Sequence, residues 1–383
     1  TEPEESVQGA LQLMFELQEY LAEITGMSAT SLVPIAGAHG EFAGLLMVKA
    51  YHRDHGDKAR RKILLTDSSH GTNPASAVMC GFEMATVASD SEGNVDMKSL
   101  ESAMNEEVAA LTLTMPTTLG LFDPRMLEIS RLVHERGGLL GADGANLNAF
   151  LGRVKFGELG YDYVQLNLHK TFSTPHGGGG PGSGPVCVKE SLADFLPTPM
   201  VTKTSGKYKF ASPPKSIGRI ANFYGNFGVM CKAYAYVRSL GAAGLKEISD
   251  DAVLYANYLK EKLKPYYHQP YDRTCMHEVV FSGRRQKAKG IRTVDIAKRL
   301  LDYRLHPPTV YFPLIVDEAL MIEPTETESK RTLDAFIEAM KEIARDVEEN
   351  PEILHTAPHN TPIRRLDDVR AARNPDLRWQ MRS

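Results

Sequence analysis

Lys170 is the residue of this sequence best placed to do covalent chemistry. It follows the alternating apolar residues Val164, Leu166 and Leu168, and a run of glycines at 177–180 comes shortly after it. A lysine amine forms a Schiff base with an aldehyde when its surroundings leave it uncharged. Glycines let a backbone approach a bulky group because they carry no Cβ. The alternation predicts a strand that ends at Lys170, with the lysine facing the glycine run.

The alternative is a surface lysine beside a flexible linker. Pro175, Pro181 and Pro185 frame the glycines, and the apolar segment Val186-Cys187-Val188 follows directly. A solvated linker would be rich in serine and would not lead straight into a strand. The sequence therefore favours the lysine as part of a site.

Polar residues stand at the ends of four predicted strands. They lie in segments 68–74, 116–120, 143–146 and 167–170. In a parallel α/β sheet, ligands bind at the carboxyl ends of the strands. One crevice would therefore gather a histidine, an aspartate, several hydroxyls and the lysine. Each residue alone is weak evidence, since a single histidine in a loop is more often structural.

An electron-sink cofactor explains this set better than direct acid–base chemistry does. Pyridoxal phosphate (PLP) needs a lysine for its aldehyde and a carboxylate for its ring nitrogen. It also needs a flat group over the ring and a helix N-terminus for its phosphate. Lys170 and Asp143 suit the first two needs, and His70 is the candidate for stacking on the ring.

The candidates for phosphate binding are the backbone amides of Ala38, His39 and Gly40, at the predicted start of a helix. Two plainer interpretations stay open at this point. Gly37 and Gly40 suit an ordinary helix-capping turn as well. Asp143 suits a strand-end cap or a turn former.

The elements that position these segments alternate along the first part of the chain. Apolar spacing predicts helices at 7–24, from 37, at 74–80 and at 124–136. Strands are predicted at 63–65, 84–87, 109–115, 139–142, 164–170 and 185–188. Strands that alternate with helices indicate a mostly parallel α/β sheet with helices on both faces.

The pattern changes beyond residue 214. Helices are predicted at 227–240, 245–263 and 327–348, and strands near 276–281, 310–316 and 319–323. This part is predicted to be a smaller α+β domain. We place the boundary at 245, which gives a large domain at 1–245 and a small C-terminal domain at 246–383.

Composition excludes several classes of protein. The chain has 383 residues and a net charge of −4 without a long basic tract, which argues against a nucleic-acid binder. No apolar run approaches the ~18 residues of a membrane span, and no signal peptide opens the chain. Four scattered cysteines without zinc-ligand spacing suit a reducing compartment and predict no metal site. We expect a cytoplasmic enzyme.

Several long motifs resemble the glycine decarboxylase family, the P-protein of the glycine cleavage system. They cover essentially the whole chain: SHGTNPASA at 69–77, DGAN at 143–146, NLHKTF at 167–172, PHGGGGPG at 175–182, SIGR at 216–219, FYGNFG at 223–228, HPPTVYFP at 306–313, EPTETESK at 323–330 and APHNTP at 357–362. The resemblance is to the lysine-bearing half, which many bacteria and archaea make as a separate subunit 2.

The resemblance implies a PLP-dependent enzyme of fold type I, the aspartate aminotransferase fold. It implies that Lys170 carries the cofactor as a Schiff base and that Asp143 pairs with the ring nitrogen. By the same resemblance, His70 stacks on the ring and His169 neighbours the Schiff base. The predicted catalytic residues are Lys170, His169 and His70, and the predicted cofactor-binding residues are Lys170, Asp143, Ala145, His70, Ala38, His39, Thr117 and Asn167.

The implied reaction is the decarboxylation of glycine, with release of CO2 and transfer of the aminomethyl group to the lipoyl-lysine of the H-protein. The lipoyl disulfide is reduced, so the enzyme counts as an oxidoreductase, a glycine dehydrogenase. The implied partners are glycine, the H-protein and a partner half, subunit 1. The implied assembly is a dimer or an α2β2 heterotetramer. No nucleic acid or membrane partner is expected.

The sequence departs from the family pattern in places. His39 stands where the family usually has Gln, Phe42 where it has Tyr, and 67–69 where it has Pro-x-Ser-Ala. These departures bear on cofactor affinity. Relatives also carry some tens of residues before the first helix, with a Gly-Ser-Cys-Thr-Met-Lys segment, so the chain is interpreted as a fragment or an N-terminally truncated subunit. Arg219 and Arg153 are both candidates for binding the glycine carboxylate.

Two rival functions stay open. One is another fold type I enzyme, such as a group II amino-acid decarboxylase or a cysteine desulfurase. A desulfurase needs a cysteine in a polar, glycine-rich loop, and no cysteine of this sequence stands in one. The other rival is a structural subunit without catalysis. Lys170 argues against it, because the non-catalytic half of the family lacks the lysine.

Overall fold

Two units make up the described part of the chain, which is residues 2–177, 182–379 and 381 of this computed structural model. The first unit comprises the described residues up to 257, with 271–279 and 324–327. The second comprises 258–270, 280–323 and the described residues from 328 onward. The chain passes from the first unit to the second inside one long helical stretch. The predicted boundary at 245 stays a prediction.

Seven strands form the main sheet of the first unit. They are β1 (Ala29–Ser31), β2 (Lys62–Thr66), β3 (Glu83–Val87), β4 (Val108–Thr114), β5 (Leu139–Gly144), β6 (Tyr163–Leu166) and β7 (Val186–Val188). Their order across the sheet is β1-β7-β6-β5-β4-β2-β3. The five strands from β6 to β3 are parallel, and β7 runs antiparallel to both of its neighbours. A separate hairpin, β8 (Met200–Thr204) and β9 (Lys207–Ala211), was not predicted.

The central strands are buried on both faces, which explains their nearly continuous apolar sequences. Every residue of β5 and β6 is buried. Tyr163 and Val164 are neighbours on β6 but belong to different hydrophobic clusters, because successive side chains of a strand point to opposite faces. Burial on both faces is typical of parallel strands between two layers of helices. The predicted mostly parallel α/β architecture is confirmed.

The helices of this unit follow the predicted spacing. They are α1 (Gln8–Thr25), α2 (Gly37–Asp54), α3 (Thr72–Met79), α4 (Met97–Ala103), α5 (Met126–Glu135), the four-residue α6 (Leu168–Thr171) and α7 (Glu190–Ala193), and α8 (Phe227–Leu263), after a 3-10 turn at Glu4–Ser6. The predicted helices at 7–24, 74–80 and 124–136 are confirmed to within two residues. Gly241 interrupts α8 with a φ of 61° and a ψ of −174°, so the prediction of two successive helices is also confirmed.

The predicted strand that ends at Lys170 is wrong in its last part. The strand β6 ends at Leu166, and Lys170 lies in the helical turn α6. Val164, Leu166 and Leu168 are all buried. Their apolar alternation continues from the strand into the helical turn, and for this reason it predicted a longer strand. Leu168 is buried within the helical turn, and its backbone N–H donates to the Ser183 carbonyl at 3.1 Å. Lys170 therefore lies four residues after the end of the strand.

A three-stranded sheet and several helices form the second unit. The strands are β10 (Val279–Ser282, with Val279 grouped in the first unit), β11 (Thr309–Val310) and β12 (Ala319–Ile322), in the order β10-β12-β11. The helices are α9 (Arg284–Lys287), α10 (Thr293–Asp302), α11 (Lys330–Glu349), α12 (Glu352–His355) and α13 (Asp368–Arg373). Mixed helices and strands confirm the α+β prediction.

Two strand predictions in this unit need correction. The strand near 276–281 begins only at Val279. The strand at 310–316 extends no further than Val310, because Pro313 has no N–H to donate to a ladder. The helix predicted at 327–348 begins at Lys330, after Ser329 caps it by accepting a hydrogen bond from the Thr332 N–H. Among the described residues, none of the helices is both long and apolar enough to cross a membrane.

Candidate active site

The carboxyl ends of β2, β4, β5 and β6 lie at one edge of the sheet because these strands are parallel neighbours. The segments with His70, Thr117, Asp143 and Lys170 therefore follow one another along this edge. The glycine run at 178–180 and Pro181 lie outside the described residues.

Asp143 is a buried carboxylate at this edge, with 3% of its surface exposed. Its Oδ2 accepts a hydrogen bond from the Asn73 side-chain amide at 3.0 Å. Its Oδ1 accepts one from the Ala145 backbone N–H at 3.1 Å. Both protein contacts are N–H donors, as an acceptor-only group requires. Asp143 is thus fixed in position from two sides.

Lys170 is exposed, in contrast, on the turn that follows β6. Asn167 precedes this turn and is buried, and its carbonyl accepts from the Lys170 backbone N–H at 3.2 Å. The Thr171 hydroxyl oxygen accepts from the Leu147 N–H at 2.8 Å, which ties the turn to the loop that follows Asp143. The backbone under Lys170 is therefore fixed while its side chain stays accessible.

His169 is held against the chain that follows the glycine run. Its Nδ1 accepts a hydrogen bond from the Ser183 backbone N–H at 3.2 Å. The His176 ring lies edge-on to it, with ring centroids 4.7 Å apart. Burial is the main cause that lowers the pKa of His169, and His176 and Lys170 add to it. The neutral imidazole is favoured at neutral pH.

His70 belongs to a row of hydrogen-bonding groups between α3 and α2. Its Nδ1 lies 2.9 Å from the Thr72 hydroxyl oxygen and accepts from the Thr72 backbone N–H at 3.2 Å. The Thr72 hydroxyl also lies 2.8 Å from Glu41 Oε1. The His70 ring itself is exposed at the edge of the site.

The start of α2 supplies free backbone amides. Ala36 precedes the helix in an extended conformation, and its side chain makes no cap. The Gly40 N–H donates to the Ala36 carbonyl at 3.0 Å, and within the described chain the N–H groups of Gly37, Ala38 and His39 have no backbone acceptor. A helix leaves its first N–H groups unpaired, and they favour an anion.

The His39 side chain turns back onto the chain before the helix. Its Nδ1 accepts from the Ile35 N–H at 3.3 Å. Burial lowers the pKa of His39, although a hydrogen bond with the Ile220 backbone opposes that shift. The His39 ring therefore stabilises the approach to α2, while its backbone amide has no backbone acceptor within the described chain.

Glycines let α2 come close to the end of the sheet. A Cβ at Gly37 would fall 3.0 Å from the Asn167 side-chain amide. A Cβ at Gly40 would fall 2.6 Å from Gln165 Cγ and would overlap the Gly184 carbonyl oxygen. Real Cβ atoms do not come so close to fixed neighbours, so both positions require glycine.

We expect Gly40→Ala to lower the free energy of unfolding by about 1–3 kcal/mol, the usual cost of overpacking. The matched control is Gly9→Ala in α1, where an added Cβ meets nothing within 4 Å. The control should be neutral or up to about 1 kcal/mol more stable, because alanine is the better helix former. Urea unfolding of both variants makes the comparison. Equal stability of the two variants would show that α2 can move away from the sheet.

Thr117 is engaged in a tight turn after β4. Its N–H donates to the Leu121 carbonyl at 2.9 Å, and its hydroxyl oxygen accepts from the Leu121 N–H at 3.2 Å. The hydroxyl proton of Thr117 has no acceptor among the described residues and can donate. The neighbouring Thr118 hydroxyl donates to the Ser68 carbonyl at 2.6 Å, which ties the ends of β4 and β2 together.

Several residues that hold this edge in place were not predicted from the sequence. Asn73 and Thr118 lie inside the predicted segments 68–74 and 116–120, so their position at strand ends was the available signal. Glu41 and Gln165 lie in a helix and a strand, where nothing in the sequence marks them. Their proximity to Asp143 depends on how α2 packs on the sheet.

Cys80 and Cys187 are not suited to act as reactive thiols. Cys80 and Cys187 are buried. Burial raises the pKa of the Cys80 thiol to about 12 and that of Cys187 to about 11. A thiol with such a pKa is not a thiolate at neutral pH and is a poor nucleophile.

Two family models match the chain. The model described as glycine cleavage system P-protein matches residues 2–209. The model described as glycine dehydrogenase, C-terminal domain, matches residues 248–363. Together they cover most of both units.

Curated relatives match almost the full length of the chain. The probable glycine dehydrogenase (decarboxylating) subunit 2 of Caldanaerobacter subterraneus is 61% identical over 99% of this chain and 78% of its own length. The proteins of the same name from Bacillus velezensis and Listeria monocytogenes are each 57% identical, over 98% and 99% of this chain and 77% and 78% of their own lengths.

Solved structures share the fold. A crystal structure of glycine decarboxylase (P-protein) of the glycine cleavage system in inhibitor-bound form has a TM-score of 0.74, with 21% identity over 88% of this chain and 77% of that chain. A rice TDC solved with PLP and tryptamine has a TM-score of 0.68, with 14% identity over 88% of this chain and 76% of that chain. These likenesses confirm the predicted fold type I of PLP-dependent enzymes.

Proposed function

This chain belongs to the glycine cleavage system P-protein family, and we propose that it is the PLP-binding, lysine-bearing subunit 2 that decarboxylates glycine. The family membership confirms the resemblance seen in the motifs. The observation that carries the proposal is the single sheet edge that presents Asp143, Lys170 and the free amides of α2. The roles of individual residues below are part of the proposal.

The residues of this edge fit PLP. A phosphate group suits the unpaired N–H groups of Gly37, Ala38 and His39, and the glycines of this turn let the start of α2 lie close against Asn167 and Gly184. A pyridine nitrogen suits the buried carboxylate of Asp143, and an aldehyde suits the exposed amine of Lys170. When bound, PLP supplies an electron sink for the pair of electrons left by a broken C–C bond.

Residues of this chain position the cofactor and set the charge around it. The amide of Asn73 and the N–H of Ala145 hold Asp143 so that its carboxylate keeps a proton at the ring nitrogen. His70 covers the ring face, and His169 stays neutral beside Lys170. Thr117, with a hydroxyl proton free to donate, and buried Asn167 complete the binding residues.

The overall reaction balances with a lipoyl disulfide as the oxidant. The bond between the glycine α-carbon and its carboxylate breaks, and CO2 leaves. The electron pair left on the carbon forms a bond to one lipoyl sulfur, and the S–S bond breaks. The other sulfur takes up a proton, so the disulfide is reduced while the carbon is oxidised. The lipoyl-lysine of an H-protein is the proposed acceptor.

Arg219 is the better candidate for the glycine carboxylate. Arg153 already forms a bidentate ion pair with Asp250 on the surface of the first unit. Arg219 is exposed, and the backbone of the next residue, Ile220, bonds to His39 at the start of α2. An arginine beside the phosphate-binding turn is placed to orient a substrate carboxylate, and such orientation contributes directly to rate.

A cysteine desulfurase is the weaker alternative for this site. That reaction needs an accessible, reactive thiol, whereas Cys80, Cys187 and Cys275 are buried and Cys231 lies on α8. Buried free thiols suit a reducing compartment, and we propose a cytoplasmic location. We also propose an assembly with subunit 1, as a dimer or an α2β2 heterotetramer.

The test is isotope exchange between labelled bicarbonate and the glycine carboxyl group, run with H-protein and with or without subunit 1. We expect the isolated chain to bind PLP but to exchange at least about 100-fold more slowly than the assembly, because a misplacement of ~1 Å costs about that much. Product analysis distinguishes this reaction from simple decarboxylation, which would give free methylamine and need no carrier. Full exchange by the isolated chain would contradict the need for subunit 1.

A further inference from the structure

Glu41 is a buried acid to which the proposed chemistry gives no role. It lies on α2 directly after Gly40 and is 8% exposed. It lines a cavity of about 10 Å³ together with Asp143, Asn73 and Gln165, which has room for about one water molecule. Among the described residues, Glu41 Oε2 is buried without a hydrogen-bond partner. A buried charged oxygen without a partner is costly.

The other oxygen, Oε1, starts a row of three close contacts. It lies 2.8 Å from the Thr72 hydroxyl oxygen, which lies 2.9 Å from His70 Nδ1. The Thr72 backbone N–H also donates to that Nδ1 at 3.2 Å. Because a threonine hydroxyl has one proton, Thr72 can donate to Glu41 or to His70 but not to both.

The hydrogen-bond donors and acceptors in this row decide which of the three groups carries the additional proton. If Glu41 is ionised and Thr72 donates to it, two lone pairs face each other between Thr72 and His70. If Nδ1 of His70 carries the proton instead, it faces the N–H of Thr72, which is also a donor. Only a proton on Glu41 Oε1 lets Glu41 donate to Thr72 and Thr72 donate to His70. The unpartnered Oε2 is then a neutral carbonyl oxygen, which is far cheaper to bury than a charged one.

We propose that Glu41 is a positioning residue that keeps a proton at neutral pH and, through Thr72, fixes His70 with its ring proton on Nε2. The neutral acid also leaves Asp143 as the one negative charge of that cavity. The importance of this tautomer for catalysis rests on the proposed function, in which His70 covers the PLP ring. The protonation of Glu41 itself rests only on this chain.

The charged and titratable groups around Glu41 act in opposite directions. Burial and the carboxylate of Asp143 on β5 raise the pKa of Glu41 to about 8. A hydrogen bond donated by Thr72 to an ionised Glu41 would oppose this shift, as the positive charge of Lys170 on α6 does. Tyr163 on β6 also faces Glu41, but its own pKa is raised, so it stays neutral. The charges of Asp143 and Lys170 each provide a variant with a predicted direction.

The direct test is infrared spectroscopy of the full-length chain with ordinary and ¹³C-carboxyl-labelled glutamate. At about pH 6 to 7 we expect the carbonyl band of a protonated glutamic acid, lost with a midpoint near pH 8. Glu41→Gln should lack the band, whereas the control Glu190→Gln, at an exposed position of α7, should keep it. A band that is absent from the wild type at neutral pH, or that survives in Glu41→Gln, would overturn the proposal.

The charged neighbours of Glu41 provide a second test, which is the direction in which each variant moves the titration midpoint of Glu41. Asp143→Asn removes a repelling charge and should lower the midpoint, and Lys170→Ala removes a positive charge that favours the ionised form and should raise it. Shifts in the reverse directions would contradict the proposed row. These measurements need no cofactor, so they can fail while isotope exchange still supports the proposed function.

The pH dependence of stability provides a third test, and its direction is predicted. Unfolded glutamate loses its proton near its ordinary pKa of 4.5, whereas folded Glu41 keeps it to about pH 8. Unfolding therefore releases a proton between these values, and the wild type becomes less stable as pH rises through this range. Glu41→Gln has no such proton to release, so its Tm should rise relative to that of the wild type as the pH increases from about 5 to about 8. A Tm difference that does not change with pH would contradict a protonated Glu41.

Discussion

Lys170→Ala is expected to reduce glycine–bicarbonate exchange by on the order of 10⁴-fold or more, the scale seen when a covalent catalytic group is removed. Lys170 is the exposed amine at the edge of the sheet. Without it the chain has no amine at this position to bind the PLP aldehyde. The fold should survive, because the neighbouring contacts of Asn167 and Thr171 use the backbone and the Thr171 hydroxyl.

Lys189→Ala is the matched control for this variant. Lys189 follows β7, which runs antiparallel to β6, so it lies at the opposite edge of the same sheet. We expect it to keep the exchange rate and the absorbance band of the bound cofactor. Equal loss of activity in both variants would indicate general damage. Full activity of Lys170→Ala would remove this lysine from the mechanism.

Asp143→Asn is expected to reduce exchange by about 10²- to 10⁴-fold, the usual contribution of a group that holds or transfers a proton. Asparagine occupies the same space, and its carbonyl can still accept from Asn73 or from the Ala145 N–H. It cannot provide the negative charge that keeps a proton at the ring nitrogen. We therefore expect cofactor binding to weaken only partly while exchange falls steeply.

Asp67→Asn is the control for a change of charge at the same edge of the sheet. Asp67 follows β2 and accepts hydrogen bonds from the backbone and hydroxyl of Ser89. It has no proposed contact with the cofactor, so its exchange rate should stay close to that of the wild type. Exchange assays and cofactor titrations of both variants make the comparison. Wild-type exchange by Asp143→Asn would contradict its proposed role.

Positions at the ends of strands could be read from the sequence because parallel strands bring them to a shared edge. His70 and Thr117 follow β2 and β4 in the structure as the alternating pattern predicts, and Asp143 lies one residue before the end of β5. The helix that begins at Gly37 was predicted for a similar reason. These features depend on local periodicity and on a general property of α/β sheets.

Features that depend on long-range packing could not be read in this way. The turn α6 holds Lys170 off the strand because Leu168 bonds to Ser183, fifteen residues further along the chain. Asn73 reaches Asp143 across seventy residues of sequence. Glu41 comes next to Asp143 only because glycines let α2 pack closely on the sheet. No periodicity in the sequence encodes such contacts.

The most direct test of the account is to locate the lysine that holds the cofactor. The wild-type protein is incubated with PLP and reduced with borohydride, which fixes a cofactor joined to a lysine amine. It is then digested, and the pyridoxyl group is mapped by mass spectrometry. We predict one modified lysine, Lys170, and no stoichiometric label in Lys170→Ala. A label on a different lysine, or no stoichiometric label in the wild type, would contradict the assignment of this site.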